Sequence, residues 1–197
     1  LRPETAQGIF VNYKNILDTM NPKLPFGIAQ IGKAFRNEIT PKDFIFRLRE
    51  LEQMEVEYFI SEDAWEAQFQ YWLEEQKEWL TEIGINSESL HEYEHPEEAR
   101  SHYSKRTMDW EFDFPFGRKE LLGLAYRTDF DLSRHAEHSK QKLQYTDPHT
   151  GNTFVPHVIE PTFGVDRTFL AVLASAYKEE ELSDGSGRVY LDFKPSV

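Results

Sequence analysis

The sequence predicts an α+β fold in which a mainly antiparallel sheet is flanked by a few helices. Two observations lead to this fold class. Extended segments with alternating side chains are numerous, and turns such as residues 115–117 and 148–152 join several of them. Helical segments are few, and the long ones carry an apolar stripe. With 197 residues, 39% of them hydrophobic, the chain can form one domain with its own core.

The first element is a helix over residues 5–20. Apolar residues recur there at helical spacing, and Thr5 is suited to cap the start of the helix. The helix ends at residues 21–23, where Asn-Pro-Lys interrupts the pattern.

A pair of strands follows, over residues 28–38 and residues 46–60, with a short break between them. Side chains alternate between the two faces of a strand, so Arg47, Leu51 and Glu55 share one face of the second strand. The opposite face becomes the more apolar one toward the end of this strand. We therefore expect a hairpin with arginines and carboxylates on one face.

A second helix begins at residues 61–63 and ends near Gly84. Large apolar side chains recur along one side of it, and core packing explains them best. This stripe consists of Trp65, Phe69, Trp72, Leu73, Trp79, Leu80 and Ile83. Residues 86–98 are polar and acidic, and we interpret them as a surface excursion.

More strands are predicted in the second half of the chain. Residues 108–114 alternate between apolar and acidic side chains, and residues 120–131 form a further strand candidate after a turn. Residues 143–147 and residues 153–159 flank a Pro- and Gly-containing turn, which indicates a hairpin.

The chain closes with a helix from near residue 166 to about residue 181 and a strand over residues 188–193. The sequence begins at Leu1 without a methionine and ends shortly after this strand. We therefore treat it as a piece of a longer protein.

Composition excludes several classes of function. The formal net charge is -13, and an acidic chain is not a general nucleic-acid binder, so any contact with RNA would use a local patch. There are no cysteines, which excludes disulfides and thiolate zinc sites and is compatible with a reducing cytosol. No apolar run approaches the roughly 20 residues that span a bilayer.

Two segments suggest a binding surface. The hairpin over residues 26–59 carries arginines and carboxylates, and residues 158–167 predict a strand that turns through glycine into a helix with an arginine at its start. Such a surface suits a polyanion bound beside a small cation, for instance ATP beside an amino acid.

These segments resemble motifs of the class II aminoacyl-tRNA synthetases. Residues 35–38 (Phe-Arg-Asn-Glu) with the return strand resemble motif 2, and residues 164–167 (Gly-Val-Asp-Arg) with their helix resemble motif 3. Residues 2–8 (Arg-Pro-Glu-Thr-Ala-Gln-Gly), 52–55 (Glu-Gln-Met-Glu) and 160–162 (Glu-Pro-Thr) are similar to the glycyl-tRNA synthetases of the homodimeric bacterial and eukaryotic type. The match runs across essentially the whole chain, and the combination in this order is specific.

The resemblance implies a catalytic core over residues 1–187. Motif 2 would occupy about residues 26–59, motif 3 about residues 158–178, and a helical and polar excursion about residues 61–105. Residues 188–197 would begin the connection to a C-terminal anticodon-binding domain. The first motif of the family, which builds the interface of a homodimer, would lie upstream of this sequence.

The implied reaction has two steps. Glycine attacks the α-phosphorus of ATP to give glycyl-adenylate and pyrophosphate, and the 3′ end of tRNA(Gly) then takes the glycyl group. The implied setting is cytoplasmic, with Mg²⁺ as cofactor and no membrane. Two alternatives stay open: a non-catalytic class II-like accessory module, and a class II synthetase for another small amino acid.

The resemblance carries ATP contacts onto specific residues, of which Arg36, Glu38 and Arg167 would be catalytic. Arg36 would bind the α-phosphate and the substrate carboxylate, and Glu38 would accept from the adenine amino group or orient the arginine. Arg47 would reach the γ-phosphate, and Arg167 would lie against the adenine. The implied ATP set also contains Asn37, Phe46, Leu51, Glu120, Leu121, Gly164, Val165 and Asp166.

For glycine, the implied ammonium partners are Glu4, Glu55 and Thr162, with Glu57 in support. Such a crowded anionic pocket attracts a cation and resists a methyl group, which disfavours other small amino acids. The implied glycine set also contains Gln53, Glu160 and Gly164. Glu120 and Glu160 are the implied Mg²⁺ carboxylates.

Two departures from the family pattern stand out. The family usually has an aromatic residue where this chain has Leu51, so stacking on adenine would rely more on Arg167. The family also commonly has Ser-Ala where this chain has Thr162 and Phe163. Thr162 keeps the hydroxyl, so its hydrogen bonding is expected to survive.

Overall fold

A six-stranded antiparallel sheet with four α-helices forms the framework of residues 1–195, the part of the chain that the computed structural model describes. In chain order the strands are β1 Phe26–Phe35, β2 Glu50–Ile60, β3 Leu90–Glu94, β4 Arg106–Phe114, β5 Gly117–Thr128, β6 Tyr145–Thr146, β7 Thr153–Phe154, β8 His157–Gly164, β9 Tyr177–Glu181 and β10 Gly187–Leu191. The large sheet has the order β1-β2-β8-β5-β4-β3, and β6-β7 and β9-β10 form two small antiparallel pairs. The predicted α+β fold class is confirmed.

The helices cover the sheet from both sides. They are α1 Ala6–Met20, α2 Trp65–Glu82, α3 Phe130–Ser139 and α4 Val165–Ala176. One core, rich in aromatic residues, lies between the sheet and the pair α2 and α4, while a smaller core lies between the sheet and the pair α1 and α3. None of the described helices is long and apolar enough to cross a membrane.

The predicted stripe of α2 faces the larger core. Phe69, Leu73 and Leu80 are buried, and Trp65 stacks on Tyr126 of β5 with ring centroids 4.5 Å apart. Packing of this amphipathic face supplies most of the stability of such a helix. The helix therefore seals one face of the sheet and leaves the other face for the site.

Both strands of the first hairpin are shorter than predicted. The first ends at Phe35 rather than at residue 38, and the second begins at Glu50 rather than at residue 46. Asp43 and Phe44 have positive φ angles of 58° and 56°, which an extended strand does not allow. Residues 36–49 are therefore a loop, and an isolated bridge between Lys42 and Arg47 closes it.

The buried face of β2 is the polar one. Gln53, Glu55 and Glu57 are buried there together with Phe59, whereas Met54 and its neighbours on the apolar face are half-buried. The more apolar face of this strand is thus not its more buried face. The reason is that α1 and α3 cover the carboxylate face.

Two other elements differ from the sequence prediction. Residues 86–98, interpreted as a surface excursion, contain β3, which pairs with β4 at the edge of the large sheet. The last helix ends at Ala176 instead of near residue 181, and the following residues form β9. Three consecutive glutamates at residues 179–181 disfavour a helix C-terminus, because the helix dipole is negative there.

Further strand ends also shift. Residues 120–131 are not all strand, since β5 ends at Thr128, whose φ is 58°, and α3 follows. The strand predicted over residues 188–193 corresponds to β10, which pairs with β9. The predicted boundary between the catalytic core and the following connection, at residues 187 and 188, falls within this hairpin. That boundary stays a prediction.

Candidate active site

A cavity of about 120 Å³ opens where the loop between β1 and β2 meets the end of β8 and the start of α4. Most of the implied ATP residues line it: Arg36, Glu38, Phe46, Arg47, Leu51, Glu120, Leu121, Gly164, Asp166 and Arg167. Asn37 and Val165 are not part of this lining. Three members of the implied glycine set, Gln53, Thr162 and Gly164, line the same cavity. Motifs distant in sequence thus meet in one place.

Arg36 is the first residue beyond β1 and reaches the cavity from the chain that enters the loop. Its backbone N–H donates to the carbonyl of Arg49 over 2.8 Å, and its Nε donates to the carbonyl of Pro3 over 3.3 Å. These two bonds fix the stem of an exposed guanidinium, a group that binds phosphate or carboxylate in a fork.

Glu38 pairs with Arg47, whereas the arginine that the resemblance implies for it to orient is Arg36. Arg47 Nη1 lies 3.4 Å from Glu38 Oε2. Arg49, whose role the sequence leaves open, donates from Nε to the carbonyl of Glu38 over 2.9 Å. The loop therefore links Arg47 and Arg49 to Glu38, while the Arg36 side chain is held by Pro3 outside the loop.

Arg167 reaches the cavity from the first turn of α4. Its Nε donates to the carbonyl of Phe46 over 3.3 Å, and its Nη1 lies 3.1 Å from both the carbonyl and the Oε2 of Glu120. The guanidinium carbon lies 4.2 Å from the centroid of the Phe46 ring. One face of this planar cation is thus covered by an aromatic ring, a favourable cation–π arrangement.

The start of α4 is tied to β2 by Asp166. Its Oδ2 accepts the backbone N–H of Glu52 over 3.1 Å. A carboxylate in the first turn of a helix is also favoured by the helix dipole. Asp166 therefore helps to place Arg167 over the cavity rather than offering a free charge to a ligand.

Behind the cavity lies an acidic cluster, by which we mean Glu55, Glu57, Asp131 and Glu160 around the guanidinium of Arg127. All five side chains are buried. Arg127 donates from Nε and Nη2 to Asp131 over 2.7 and 2.9 Å, and from Nη1 to Glu160 over 2.5 Å. Four carboxyl groups therefore surround one cation.

Arg127 is the main residue that the sequence reasoning missed. It follows the apolar residues of β5, only 2% of it is exposed, and its guanidinium carbon lies 3.9 Å from the centroid of the Tyr103 ring. One signal was available: an arginine within an apolar strand must find acidic partners when it is buried, and Asp131 stands four residues later.

The cluster shifts the pKa values of its members. Burial raises the pKa of the Glu57 carboxyl well above its usual range, and the neighbouring Glu160 raises it further. Burial likewise raises the pKa of Glu160 to about 7, although Arg127 opposes this shift. Both oxygens of Glu57 are buried without a hydrogen-bond partner among residues 1–195. The cluster thus holds more negative potential than its one arginine neutralises.

Glu55 joins the cluster to the start of the chain. Its Oε2 accepts from the backbone N–H of Thr5 over 3.0 Å and also from the Thr5 hydroxyl. Thr5 precedes α1 but makes no side-chain capping bond to that helix, so the predicted cap is wrong because its hydroxyl binds Glu55 instead. Burial raises the pKa of Glu55, and the bonds from Thr5 lower it.

Of the remaining implied glycine residues, Glu4 accepts from Gln7 Nε2 over 3.2 Å at the edge of the cluster. Thr162 lies between the cluster and the cavity, because its hydroxyl donates to Glu160 Oε1 over 3.3 Å while the residue lines the cavity. The two implied sets are therefore adjacent, with Gln53 and Thr162 at the boundary.

The implied magnesium pair is not brought together. Glu120 lines the cavity and pairs with Arg167, whereas Glu160 is buried against Arg127 and is absent from the lining. Among residues 1–195 no group of three or more His, Cys, Asp or Glu side chains is arranged to hold a metal ion. Any cation here would need ligands from a substrate as well.

Phe163, the bulky residue where the family commonly has alanine, packs in the core and not in the cavity. Phe163 points to the opposite face of the sheet from Thr162 and packs edge-on against Trp79 of α2, with centroids 5.2 Å apart. It belongs to the larger core and leaves the cavity unchanged. Leu51, at the other departure, lines the cavity.

This geometry separates two chemical tasks. The cavity offers Arg36, Arg47 and Arg167 to an anion, and the adjoining cluster offers buried carboxyl groups to a small cation. A molecule that spans both would be held with its charged ends oriented before any reaction.

Comparison with known proteins agrees with this arrangement. Residues 1–176 match the family model of the tRNA synthetase class II core domain (G, H, P, S and T). The chain is 54% identical over 212 aligned residues to a glycine--tRNA ligase of Thermus thermophilus, and 52% and 53% identical over 197 residues to those of Geobacillus thermodenitrificans and Acetivibrio thermocellus. All of this chain is covered, but only 42–43% of each relative.

A solved structure supports the fold. Prolyl-tRNA synthetase of Giardia lamblia, in complex with prolyl-adenylate, is similar with a TM-score of 0.69, over 87% of this chain and 32% of that one. The sequence identity is 13%, so this likeness concerns the fold alone. Taken with the match over residues 1–176, the chain belongs to the family of class II tRNA synthetase core domains.

Proposed function

We propose that this chain is the catalytic core of a glycine–tRNA ligase, which activates glycine with ATP and transfers it to the 3′ end of tRNA(Gly). The observation that carries this proposal is the contact between an arginine-lined cavity and a buried acidic cluster. Relatives that are more than 50% identical over the whole chain carry the name glycine--tRNA ligase, which supports it.

ATP would occupy the cavity. Arg36 would hold the α-phosphate together with the carboxylate of glycine, and Arg47, oriented by Glu38, would neutralise the γ-phosphate. The adenine would lie on the face of Arg167 that Phe46 does not cover. In the activation step the glycine carboxylate oxygen attacks the α-phosphorus and pyrophosphate leaves with the electron pair, so alignment and charge neutralisation are the protein's main tasks.

Glycine would place its ammonium group against the acidic cluster. Gln53 and Thr162 stand at the boundary with the cavity, Glu55 lies in the buried cluster, and Glu4 lies at the edge of the cluster. The ammonium group would be a second cation beside Arg127 and would neutralise negative charge of the cluster that Arg127 alone does not neutralise. A methyl group in the same place would displace these polar contacts, so the site would reject larger amino acids by size.

Magnesium fits Glu120 better than the pair Glu120 and Glu160. Mg²⁺ is commonly held by one or two protein carboxylates and by substrate phosphates, and Glu120 lines the phosphate-sized cavity. Bound there, the ion would neutralise phosphate charge. Glu160 does not fit this role, since Arg127 occupies one of its oxygens and the Thr162 hydroxyl the other.

The proposal extends to the whole protein. We infer a homodimer that acts in the cytoplasm and takes tRNA(Gly) through parts outside this chain. The larger share of each relative lies outside the region that this chain matches, which leaves room for an interface and an anticodon-binding domain.

The test is ATP–pyrophosphate exchange by the full-length protein, with glycine as substrate and with alanine and serine as controls. We expect exchange with glycine and a rate at least about 100-fold lower with either control, because the ammonium pocket excludes a side chain. Equal exchange with serine or alanine would instead identify another amino acid as substrate. A folded protein without exchange would favour a non-catalytic module.

A further inference from the structure

Two histidine–aspartate pairs of the same chemistry but in different surroundings join β4 to β3 and to His95, the residue that follows β3. His91 Nε2 lies 2.8 Å from Asp113 Oδ2 at the outer end of the two strands. His95 Nε2 lies 2.7 Å from Asp109 Oδ2 further in, where the Asp109 side chain is 13% exposed compared with 43% for Asp113. The outer pair is an ordinary surface ion pair, and the inner pair needs another explanation.

The two aspartates differ electrostatically. Arg118, whose Nε donates to Asp113 over 2.9 Å, holds the pKa of Asp113 below its usual range, and His91 contributes to the same shift. Burial, together with the neighbouring Glu120 and Glu111, raises the pKa of Asp109 to about 6, although the hydrogen bond with His95 opposes this shift. Asp109 is therefore kept in a position that costs stability, as polar groups that serve binding often are.

Asp109 belongs to a row of residues that crosses the sheet at the site. Asp109 pairs with Gly123 of β5, Gly123 pairs with Thr162 of β8, and Thr162 pairs with Glu55 of β2. Directly paired residues of antiparallel strands point to the same face, so these side chains share the face of the acidic cluster. Two strand spacings, about 10 Å, separate Asp109 from Thr162.

Gly123, the residue between Asp109 and Thr162, has no side chain and therefore leaves space at the base of the cavity. Gly123 lines the cavity, and a side chain built on it would meet Asp109 Oδ1 at 3.7 Å as its only close neighbour. Gly123 is thus part of the cavity wall, and the Asp109 carboxyl lies beside it on the same face of the sheet. Under the proposed function, glycine would occupy the Thr162 side of this space.

Hydroxyl groups suit this end of the space better than phosphate groups. A carboxylate accepts hydrogen bonds from hydroxyls, while Glu111 and Glu120 beside Asp109 would repel a phosphate. His95 supports the carboxylate from behind, and the carbonyl of His95 accepts from Arg100 Nε over 2.9 Å, which fixes the histidine in turn.

Resting on the proposed function, we propose that Asp109 binds a ribose hydroxyl of the terminal nucleotide of the acceptor tRNA above Gly123, with His95 as the residue that positions Asp109. In the transfer step, the other ribose hydroxyl attacks the carbonyl carbon of the adenylate. The new ester bond forms as the bond from this carbon to the phosphate oxygen breaks, AMP leaves with the electron pair, and the hydroxyl proton passes to the phosphate. Asp109 orients the attacking ribose and takes no proton.

The test compares the two half-reactions in the full-length protein. Glycine-dependent ATP–pyrophosphate exchange reports activation, and single-turnover transfer from preformed adenylate to tRNA(Gly) reports the second step. For Asp109→Asn we expect transfer to fall on the order of 10- to 100-fold more than exchange, because one charge-assisted hydrogen bond is lost. His95→Gln should show the same pattern with a smaller fall.

The outer pair supplies matched controls. Asp113→Asn and His91→Gln change the same chemistry in the other pair that involves β4, and both rates should stay within about twofold of the unmodified protein. The proposal is overturned if Asp109→Asn lowers exchange and transfer by the same factor, as it would if the adenylate's own ribose were bound, or if it lowers neither. Absence of glycine-dependent exchange in the unmodified protein would instead overturn the proposed function.

Discussion

At the scale of single residues, the arginines of the candidate site differ in their surroundings, because three line the cavity and one is buried among carboxyl groups behind it. Arg36 and Arg47 are exposed at the cavity, and Arg167 is held there by carbonyl groups and a ring face. Arg127 is buried between Asp131, Glu160 and Tyr103. Removing a member of the first group should affect ligand binding, whereas removing Arg127 should affect folding as well.

Arg36→Ala and Arg167→Ala should each lower the rate of glycine-dependent pyrophosphate exchange by about 10²–10³-fold, because each removes a preorganised cation from the phosphates or the base. The measurement is the exchange rate of the full-length protein at saturating glycine. Arg134→Ala is the matched control, since Arg134 is an exposed arginine of α3 that pairs only locally with Glu137 over 2.8 Å. Exchange that survives in either site variant would remove the corresponding ATP contact.

Arg127→Ala should lower the free energy of unfolding by about 3–5 kcal/mol, because it leaves buried carboxyl groups without their counter-charge. Urea unfolding followed by circular dichroism measures this change. The control is Arg188→Ala, which breaks the exposed pair with Glu180 (2.6 Å) and should cost less than about 1 kcal/mol. Equal losses in the two variants would show that the buried arginine is not the counter-ion of the cluster.

At the scale of elements, β2 shows which structural features the sequence pattern predicts and which it does not. Alternation correctly groups Leu51 and Glu55 on one face of this strand, but it does not predict that the carboxylates of this face are buried. A carboxylate is buried only where partners from other elements meet it, here Thr5 before α1 and Arg127 at the end of β5. Such partners are 50 and more residues away in the chain, so local patterns do not reveal them.

In the loop of residues 36–49, the residues that line the cavity were predicted, whereas the backbone conformation was not. The arginines and glutamates that line the cavity were predicted from a motif, and the structure brings most of them together. The strand ends around these residues were not predicted correctly. Two consecutive residues with left-handed backbone conformations, Asp43 and Phe44, interrupt the hairpin, and neither is the glycine that usually marks such a position. Short motifs therefore predicted the site better than periodicity predicted the backbone that holds it.

Glu57→Gln on β2 should stabilise the protein and weaken its pH dependence. The pKa of Glu57 is raised in the folded state, so the folded protein retains a proton that the unfolded chain has lost, and stability falls as the pH rises above the ordinary pKa of glutamate. The amide removes this loss, so the gain in stability over the unmodified protein should be larger at pH 8 than at pH 5. Urea unfolding at pH 5 and pH 8 measures it.

An exposed glutamate gives the control for that experiment. Glu92→Gln on β3 removes the same charge from the surface, and its stability should parallel that of the unmodified protein at both pH values. If Glu57→Gln showed a pH dependence as steep as that of the unmodified protein, Glu57 would not be the proton-retaining group.

At the scale of the whole molecule, the two faces of the sheet have different tasks. The face toward α2 and α4 is packed with aromatic and aliphatic side chains and contains the larger core. The opposite face accepts a smaller core at one end and leaves the rest to the cavity and the acidic cluster. A chain with a net charge of -13 thus also places four carboxyl groups around one arginine in its interior.

This arrangement predicts that a small cation stabilises the entire fold in a pH-dependent way. Burial raises the pKa values of Glu55, Glu57 and Glu160, that of Glu160 to about 7, so the cluster carries more negative charge at pH 8 than at pH 6. Glycine should therefore raise the melting temperature more at pH 8 than at pH 6, and stabilisation at 100 times the dissociation constant amounts to about 2.7 kcal/mol. The measurement is differential scanning calorimetry of the full-length protein with saturating glycine and, as control, equal alanine. A shift that alanine reproduces, or one that is larger at pH 6, would mean that the ionised cluster is not what holds the ammonium group, because cation binding must favour the deprotonated carboxylates.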